Sequence, residues 1–185
     1  MKLLQVRPRV MRHNHIDGVK VTAQFSEENG LRYRYRLEVM IKDFFPSGKT
    51  ACVVMQNPSY ACVEFADKSV QFMEKVVFQK SLPEFKNVSR LIVVNQFAFI
   101  QTNLFKGLPH EIGSKNNSAI KAALKESEMI ILAWGCANPF EERKKFVLGL
   151  LSEMKNKQLF ITRSHPSRAR YDGFIQRLSS FAQKG

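Results

Sequence analysis

Beyond residue 50 the chain alternates short, almost wholly apolar runs with longer segments of mixed polarity. The runs cover residues 51–55, 91–94, 129–133 and 159–162. Because they are not apolar at every second position only, they predict strands buried on both faces, as in a parallel sheet. Val70, Met73, Val76 and Val77 recur at helical spacing between the first two runs, and Ile120, Ala123 and Leu124 do so before the third. Before the fourth, Asn138 can cap a helix with Pro139 at its first position, and Phe146, Leu150 and Met154 follow on one face. Strands alternating with helices predict an α/β fold, a three-layer α/β/α sandwich with a central four-stranded parallel sheet.

The first 49 residues read differently. Residues 19–25 and 31–41 flank Ser26-Glu27-Glu28-Asn29-Gly30, which predicts a β-hairpin. In its second strand Arg32, Arg34 and Arg36 alternate with Tyr33, Tyr35 and Leu37. Period two places the arginines on one face, either solvated or tracking a polyanion backbone. Residues 1–15 read as a loose basic arm carrying Arg7, Arg9, Arg12, His13 and His15. The expected organisation is a basic arm and hairpin over 1–49 and an α/β/α domain over 50–185, joined in one compact unit. No repeat, low-complexity tract or Gly/Ser linker divides it.

Composition narrows the function classes. The chain has 185 residues, 44% of them hydrophobic, with 15 phenylalanines. That suits one globular domain with a substantial core. No apolar run is long enough to span a membrane, and the N-terminus lacks the apolar segment of a signal peptide. Cys52, Cys62 and Cys136 form no close pair, which suggests a reduced, cytoplasmic protein without a thiolate metal site. The formal net charge is +13. Residues 1–50 carry ten basic and five acidic side chains and residues 141–185 ten and four, against nine and seven between them. An excess at both ends suits a polyanion, most simply nucleic acid, held through its phosphates. Neither G-x-G-x-x-G nor G-x-x-x-x-G-K-[ST] occurs, which disfavours dinucleotide and P-loop nucleotide binding.

Ligands of parallel sheets bind beyond the carboxyl ends of the strands. All four predicted strands end in polar or turn residues: Gln56-Asn57-Pro58-Ser59, Asn95, Trp134-Gly135 and His165-Pro166-Ser167. In this order the segments Met55-Gln56-Asn57-Pro58-Ser59, Leu91-Ile92-Val93-Val94-Asn95, Ile130-Ile131-Leu132-Ala133-Trp134-Gly135 and His165-Pro166-Ser167-Arg168 resemble the uracil-DNA glycosylase superfamily over roughly residues 50–180. They also resemble an uncharacterised family of bacterial and phage proteins that shares these motifs. The glycosylase resemblance implies an enzyme that flips a uracil, mismatched or modified pyrimidine out of DNA and hydrolyses its N-glycosidic bond. Some members of that superfamily hold an iron–sulfur cluster on four cysteines, and three cannot do that, so no metal or cofactor is expected. A monomer acting on double- or single-stranded DNA, in repair or in defence against phage DNA, is expected.

The residues then acquire expected roles. His165 can hydrogen-bond or protonate an exocyclic oxygen of the leaving base, where negative charge develops; a structural capping histidine is the alternative. Asn57 can orient a water but, as a neutral amide, takes no proton, so slow turnover is expected. The family's mismatch-specific branch also carries asparagine here. Glu64 and Asp67 are the nearby carboxylates that could substitute as base, but as surface charges opening the next helix they are expected to be structural. Gln56 and Asn95 would read the base, and Tyr60 or Phe65 would stack on it. Ser59 and Ser167 would meet successive phosphates. Arg168 falls where the family inserts a wedge, and Arg170, Lys144 and Lys145 are further phosphate contacts. His110 and Lys115-Asn116-Asn117 would line the groove, while Trp134-Gly135 would serve packing and a close turn. Two other readings stay open: a binding module that keeps the pocket without catalysis, and an enzyme acting on a free nucleoside or nucleotide.

Overall fold

The computed structural model describes residues 12–42 and 48–178. Strands β1 (Val19–Glu28) and β2 (Leu31–Ile41) form the expected hairpin around Asn29-Gly30. Both turn residues have positive φ, 52° and 74°. A two-residue turn between right-twisted strands demands that conformation, and Asn-Gly reaches it at least cost. Four strands follow: β3 (Lys49–Met55), β4 (Val88–Asn95), β5 (Met129–Leu132) and β6 (Gln158–Thr162). They lie in the order β4-β3-β5-β6, every pair parallel. β2 runs antiparallel beside β4, and a short β7 (Ile175–Arg177), not predicted from the sequence, runs antiparallel beside β6. The result is one mixed seven-stranded sheet that includes the hairpin.

Helices α1 (Lys68–Glu74), α2 (Pro109–Ile112), α3 (Asn116–Glu126) and α4 (Glu141–Ser152) complete the α/β fold. α1 runs on into a π-helical turn, Lys75–Gln79. Alternate strand residues feed two cores. Val53, Leu91, Ile131 and Phe160 pack with Val70, Met73, Val76 and Val77 of the α1 segment. Cys52, Val54, Ile92 and Leu132 pack with Ile120 and Leu124 of α3 and Val147 and Leu151 of α4. Strands serving a core on each face are apolar at every position, which explains the runs seen in the sequence.

Three expectations are corrected. α4 begins at Glu141, not Pro139. Asn138 instead turns inward: its Oδ1 accepts from the Phe140 amide at 3.1 Å, and its Nδ2 donates to Gln96 Oε1 at 2.8 Å. The arginine stripe does not exist either. Gln24 pairs with Arg36 but Phe25 with Arg34, so Tyr35 is the extra residue of a β-bulge. A bulge resets the side-chain alternation. Arg34, 1% exposed, donates to the Ala61 carbonyl and to Asn95. Arg36 is buried against α3, paired with Glu126 and Glu38 at 2.6 Å each, and Arg90 completes that network. Only Arg32 of the three is exposed.

The third correction concerns the basic arm. Residues 1–11, with Arg7 and Arg9, lie outside the described residues, but residues 12–16 are docked rather than loose. His13 bridges Ala66 through backbone bonds. His15 gives Nδ1 to the buried Glu74 carboxylate at 2.5 Å and Nε2 to the Cys62 carbonyl at 2.9 Å, while the Ile16 amide takes the other Glu74 oxygen. Burial alone would lower the His15 pKa. The Glu74 and Cys62 hydrogen bonds and the charges of Glu74 and Asp67 outweigh it, so the ring is held protonated above its usual value near 6.5. The folded state then binds the proton more tightly than the unfolded chain does. This contribution to stability is full below about pH 6.5 and is lost as pH rises through the folded pKa. The urea midpoint of the wild type should therefore fall as pH rises from about 6.5 through the folded pKa, and a His15→Gln/Glu74→Gln double variant should show no such fall.

Candidate functional site

Parallel pairing brings the carboxyl ends of β3, β5 and β6 to one edge of the sheet, where they surround a cleft of about 590 Å³. Its walls include Gln56, Asn57, Ser59 and Tyr60 after β3, Trp134 and Gly135 after β5, and His165, Ser167 and Arg168 after β6. Seven of the residues expected from the sequence to act at the site thus share one cavity.

The His165 loop is fixed by its own hydrogen bonds. The residue caps a single 3₁₀ turn, Pro166–Arg168. The Ser167 amide donates to His165 Nδ1 at 3.3 Å, and the Ser167 hydroxyl lies 2.9 Å from the same atom. A nitrogen that accepts from a backbone N–H carries no proton, so in the neutral ring the proton sits on Nε2. Burial pushes the His165 pKa below its usual value, the Arg168 charge adds to that, and Asp67 opposes it. His165 is therefore a neutral imidazole with a fixed Nε2–H donor. Gly135 makes room for it: with φ at +84°, an added Cβ would sit 2.9 Å from the His165 backbone nitrogen. The Trp134-Gly135 pair thus supplies the close turn expected of it.

On the opposite wall a chain of amides orients Asn57. Its Nδ2 donates to the Gln101 carbonyl at 2.7 Å, and its Oδ1 accepts from Gln56 Nε2 at 3.3 Å. Gln56 Oε1 in turn accepts from Asn138 Nδ2 at 3.1 Å. With Nδ2 committed to a carbonyl, Asn57 offers an acceptor oxygen and no base. Beneath lies a buried polar layer. The Gln96 carbonyl accepts from Arg143 Nε at 2.8 Å and from Asn116 Nδ2 at 3.0 Å.

Other expected residues fall elsewhere. Asn95 is 1% exposed and absent from the cleft wall, its Oδ1 accepting from Arg34 Nη2 at 3.3 Å. Its strand is flanked on both sides, and the ladder continues past it: the Gln96 amide donates to the Met55 carbonyl and the Phe97 amide to the Gln56 carbonyl. Phe65 lies under the Arg12 guanidinium, 4.6 Å from its ring centroid. Lys144 and Lys145, on α4, pair with Glu141 and Glu142. Arg170 is exposed outside the cleft wall. Of the loop expected to line the groove, His110 and Lys115 stay at the surface and Asn116 is buried. Gln101 and Thr102, earlier in that loop, reach the cleft instead.

Asp67, expected to be a surface charge opening the next helix, is buried instead, and its link to Ser59 is what sequence reasoning missed. It caps α1, Oδ1 accepting from the Val70 amide at 2.8 Å, while Oδ2 accepts from the Ser59 hydroxyl at 2.5 Å. It is 8% exposed and lies in the cleft wall, whereas Glu64 is exposed and outside it. Among the described residues no group of three or more His, Cys, Asp or Glu side chains is placed to hold a metal ion, and no helix is long and apolar enough to cross a membrane. The geometry around Gly135 has a direct test. Gly135→Ala should destabilise the fold by more than the roughly 1–2 kcal/mol of a Cβ in left-handed backbone, because the methyl also presses on the His165 backbone, and should shift the His165 ring resonances in NMR spectra.

No curated protein and no solved structure matches the chain. One family model does, over residues 34–170, a span that runs from the buried Arg34 through all four strand ends to the loop after His165. The chain belongs to the DUF1643 family, whose description is a protein of unknown function.

Proposed function

We propose that the protein is a monofunctional DNA glycosylase that draws a uracil, mismatched or modified pyrimidine nucleotide into the cleft and hydrolyses its N-glycosidic bond. One observation carries the reading. An amide oxygen (Asn57) and a fixed neutral imidazole N–H (His165) converge on one cavity from two parallel strand ends. Its volume of about 590 Å³ lies within the roughly 300–1,000 Å³ usual for small-ligand sites. The family match leaves the activity open, and the fold supports the reading through helices contributing to cores on both faces of the sheet, as a three-layer α/β/α sandwich requires.

The division of labour follows from charge. As the bond to the sugar lengthens, negative charge grows on the departing base and positive charge on the sugar. The His165 Nε2–H meets an exocyclic oxygen of the base, strengthening as the charge develops. Asn57 Oδ1 orients the attacking water. Ser167, in a proline-stiffened loop, contacts a phosphate beside the extruded nucleotide, whereas the Ser59 hydroxyl, donated to Asp67, has no hydrogen left for one. Arg168, exposed at the cleft rim, enters the vacated stack or holds a phosphate. The net charge of +13 supplies non-specific attraction to DNA.

Excess protein incubated with duplexes carrying uracil, G·T, G·U or a 5-substituted cytosine, then heated in alkali, should give strand scission at the target. His165→Ala should lower single-turnover base release by about 10²–10³-fold, the range for losing one preorganised donor, with the dissociation constant changed far less. Arg168→Ala should weaken binding across sequences and reduce the slope of log K against log salt by about 1. Tight binding without abasic sites would favour a non-catalytic module, and base release from free nucleosides an enzyme of nucleotide metabolism.

A further inference from the structure

If the protein hydrolyses a glycosidic bond, a proton acceptor in the cleft would speed the attack of water, and Asn57 cannot be one. Among the described residues lining the cleft, Asp67 is the one carboxylate. Its two oxygens have different tasks. Oδ1 is held by the Val70 amide at 2.8 Å as the cap of α1, which locks the carboxylate in place. Oδ2 accepts a hydrogen bond from the Ser59 hydroxyl at 2.5 Å. With its hydrogen committed to Asp67, Ser59 Oγ has only lone pairs to offer other partners. Ser59 lies two residues after Asn57 and in the same cleft wall. Behind them the buried Arg34 guanidinium, fixed to the Ala61 carbonyl, lies within electrostatic reach of Asp67.

We propose, resting on the glycosylase reading, that Ser59 and Asp67 form a proton relay that replaces the general base missing at position 57. Water, oriented by Asn57 Oδ1, attacks the sugar C1′. One water proton passes to Ser59 Oγ as the Ser59 proton passes to Asp67 Oδ2. The C1′–N bond breaks with its electron pair going to the base, whose charge rests on the His165 Nε2–H. The products are a hydroxylated abasic sugar and a base anion, which takes up the proton that Asp67 then releases. In this scheme Ser59 touches the reacting water, and Asp67 acts through Ser59.

Asp67→Asn isolates the relay from the cap, because asparagine caps a helix as well as aspartate does but accepts no proton. Single-turnover base release by the wild type, Asp67→Asn, Ser59→Ala and the double variant is measured on the duplex panel above. Binding to an uncleavable abasic-analogue duplex and the melting temperature are measured in parallel. The relay predicts a loss of about 10²–10⁴-fold for Asp67→Asn, the usual range for general-base help. It predicts a similar loss for Ser59→Ala, no further loss in the double variant, and binding and melting temperature close to wild type. Undiminished release by Asp67→Asn, additive losses, or a rate lost together with binding and stability would each overturn the relay while leaving the glycosylase reading intact. A wild type that releases no base from any duplex overturns both.

Discussion

Hydrogen-bonded register at the ends of the parallel strands is the constraint on which the site depends. Met55 stands opposite Asn95, Val54 opposite Leu132, and Leu132 opposite Ile161. Because the four strands stop within a residue or two of one another, the loops that follow begin on one line and turn off at one edge. Each loop is then locked by a separate local device. The β3 loop has its amide chain through Gln56 and Asn138, the β5 loop its left-handed glycine, and the β6 loop its 3₁₀ turn. A site built on rigid strand ends can hold two side chains from residues more than a hundred positions apart at fixed separation, which positioning by mobile loops cannot match.

Beneath that edge lies an unusual concentration of buried charge. Arg34 and Arg143 are 1% and 8% exposed, and burial lowers the pKa of both. Carbonyl and amide oxygens bind them in part, Ala61 and Asn95 the first and Gln96 and Asn117 the second, while Arg34 Nε and Arg143 Nη2 are buried without a hydrogen-bond partner among the described residues. Neither makes a direct ion pair among the described residues. A guanidinium neutralised only by dipoles leaves a net positive field. The buried positive charge of Arg34 thus favours a nearby negative charge such as that of Asp67.

The part of this arrangement legible in the sequence is the part set by uniform burial. A strand covered on both faces has no polar position, so residues 51–55, 91–94 and 129–133 announce themselves, and the polar residues that follow mark the edge. The hairpin is equally plain, because Asn29-Gly30 admits few alternatives. What escapes is decided between elements. Whether Asn95 faces a cleft or a buried arginine depends on the ladder continuing through Gln96, a pairing no local pattern encodes. Asp67 reads as a surface charge at the start of a helix, and nothing in its neighbourhood tells that it is buried or that its second oxygen meets Ser59. β7 has three residues, too few for any period to show. Lys144 and Lys145 look like free cations until the glutamates one turn earlier are seen to hold them.

The bulge at Tyr35 carries a consequence of its own. Without the extra residue, strict alternation would put Arg34 and Arg36 on one side of β2. One inserted position sends them to different destinations, one to the loop beneath the cleft and the other to the end of α3. The hairpin is thus more than an extension of the sheet's edge. A single count of residues in β2 governs both how the cleft is braced from below and how α3 is fastened to the sheet, so this strand tolerates changes of side chain more readily than changes of length.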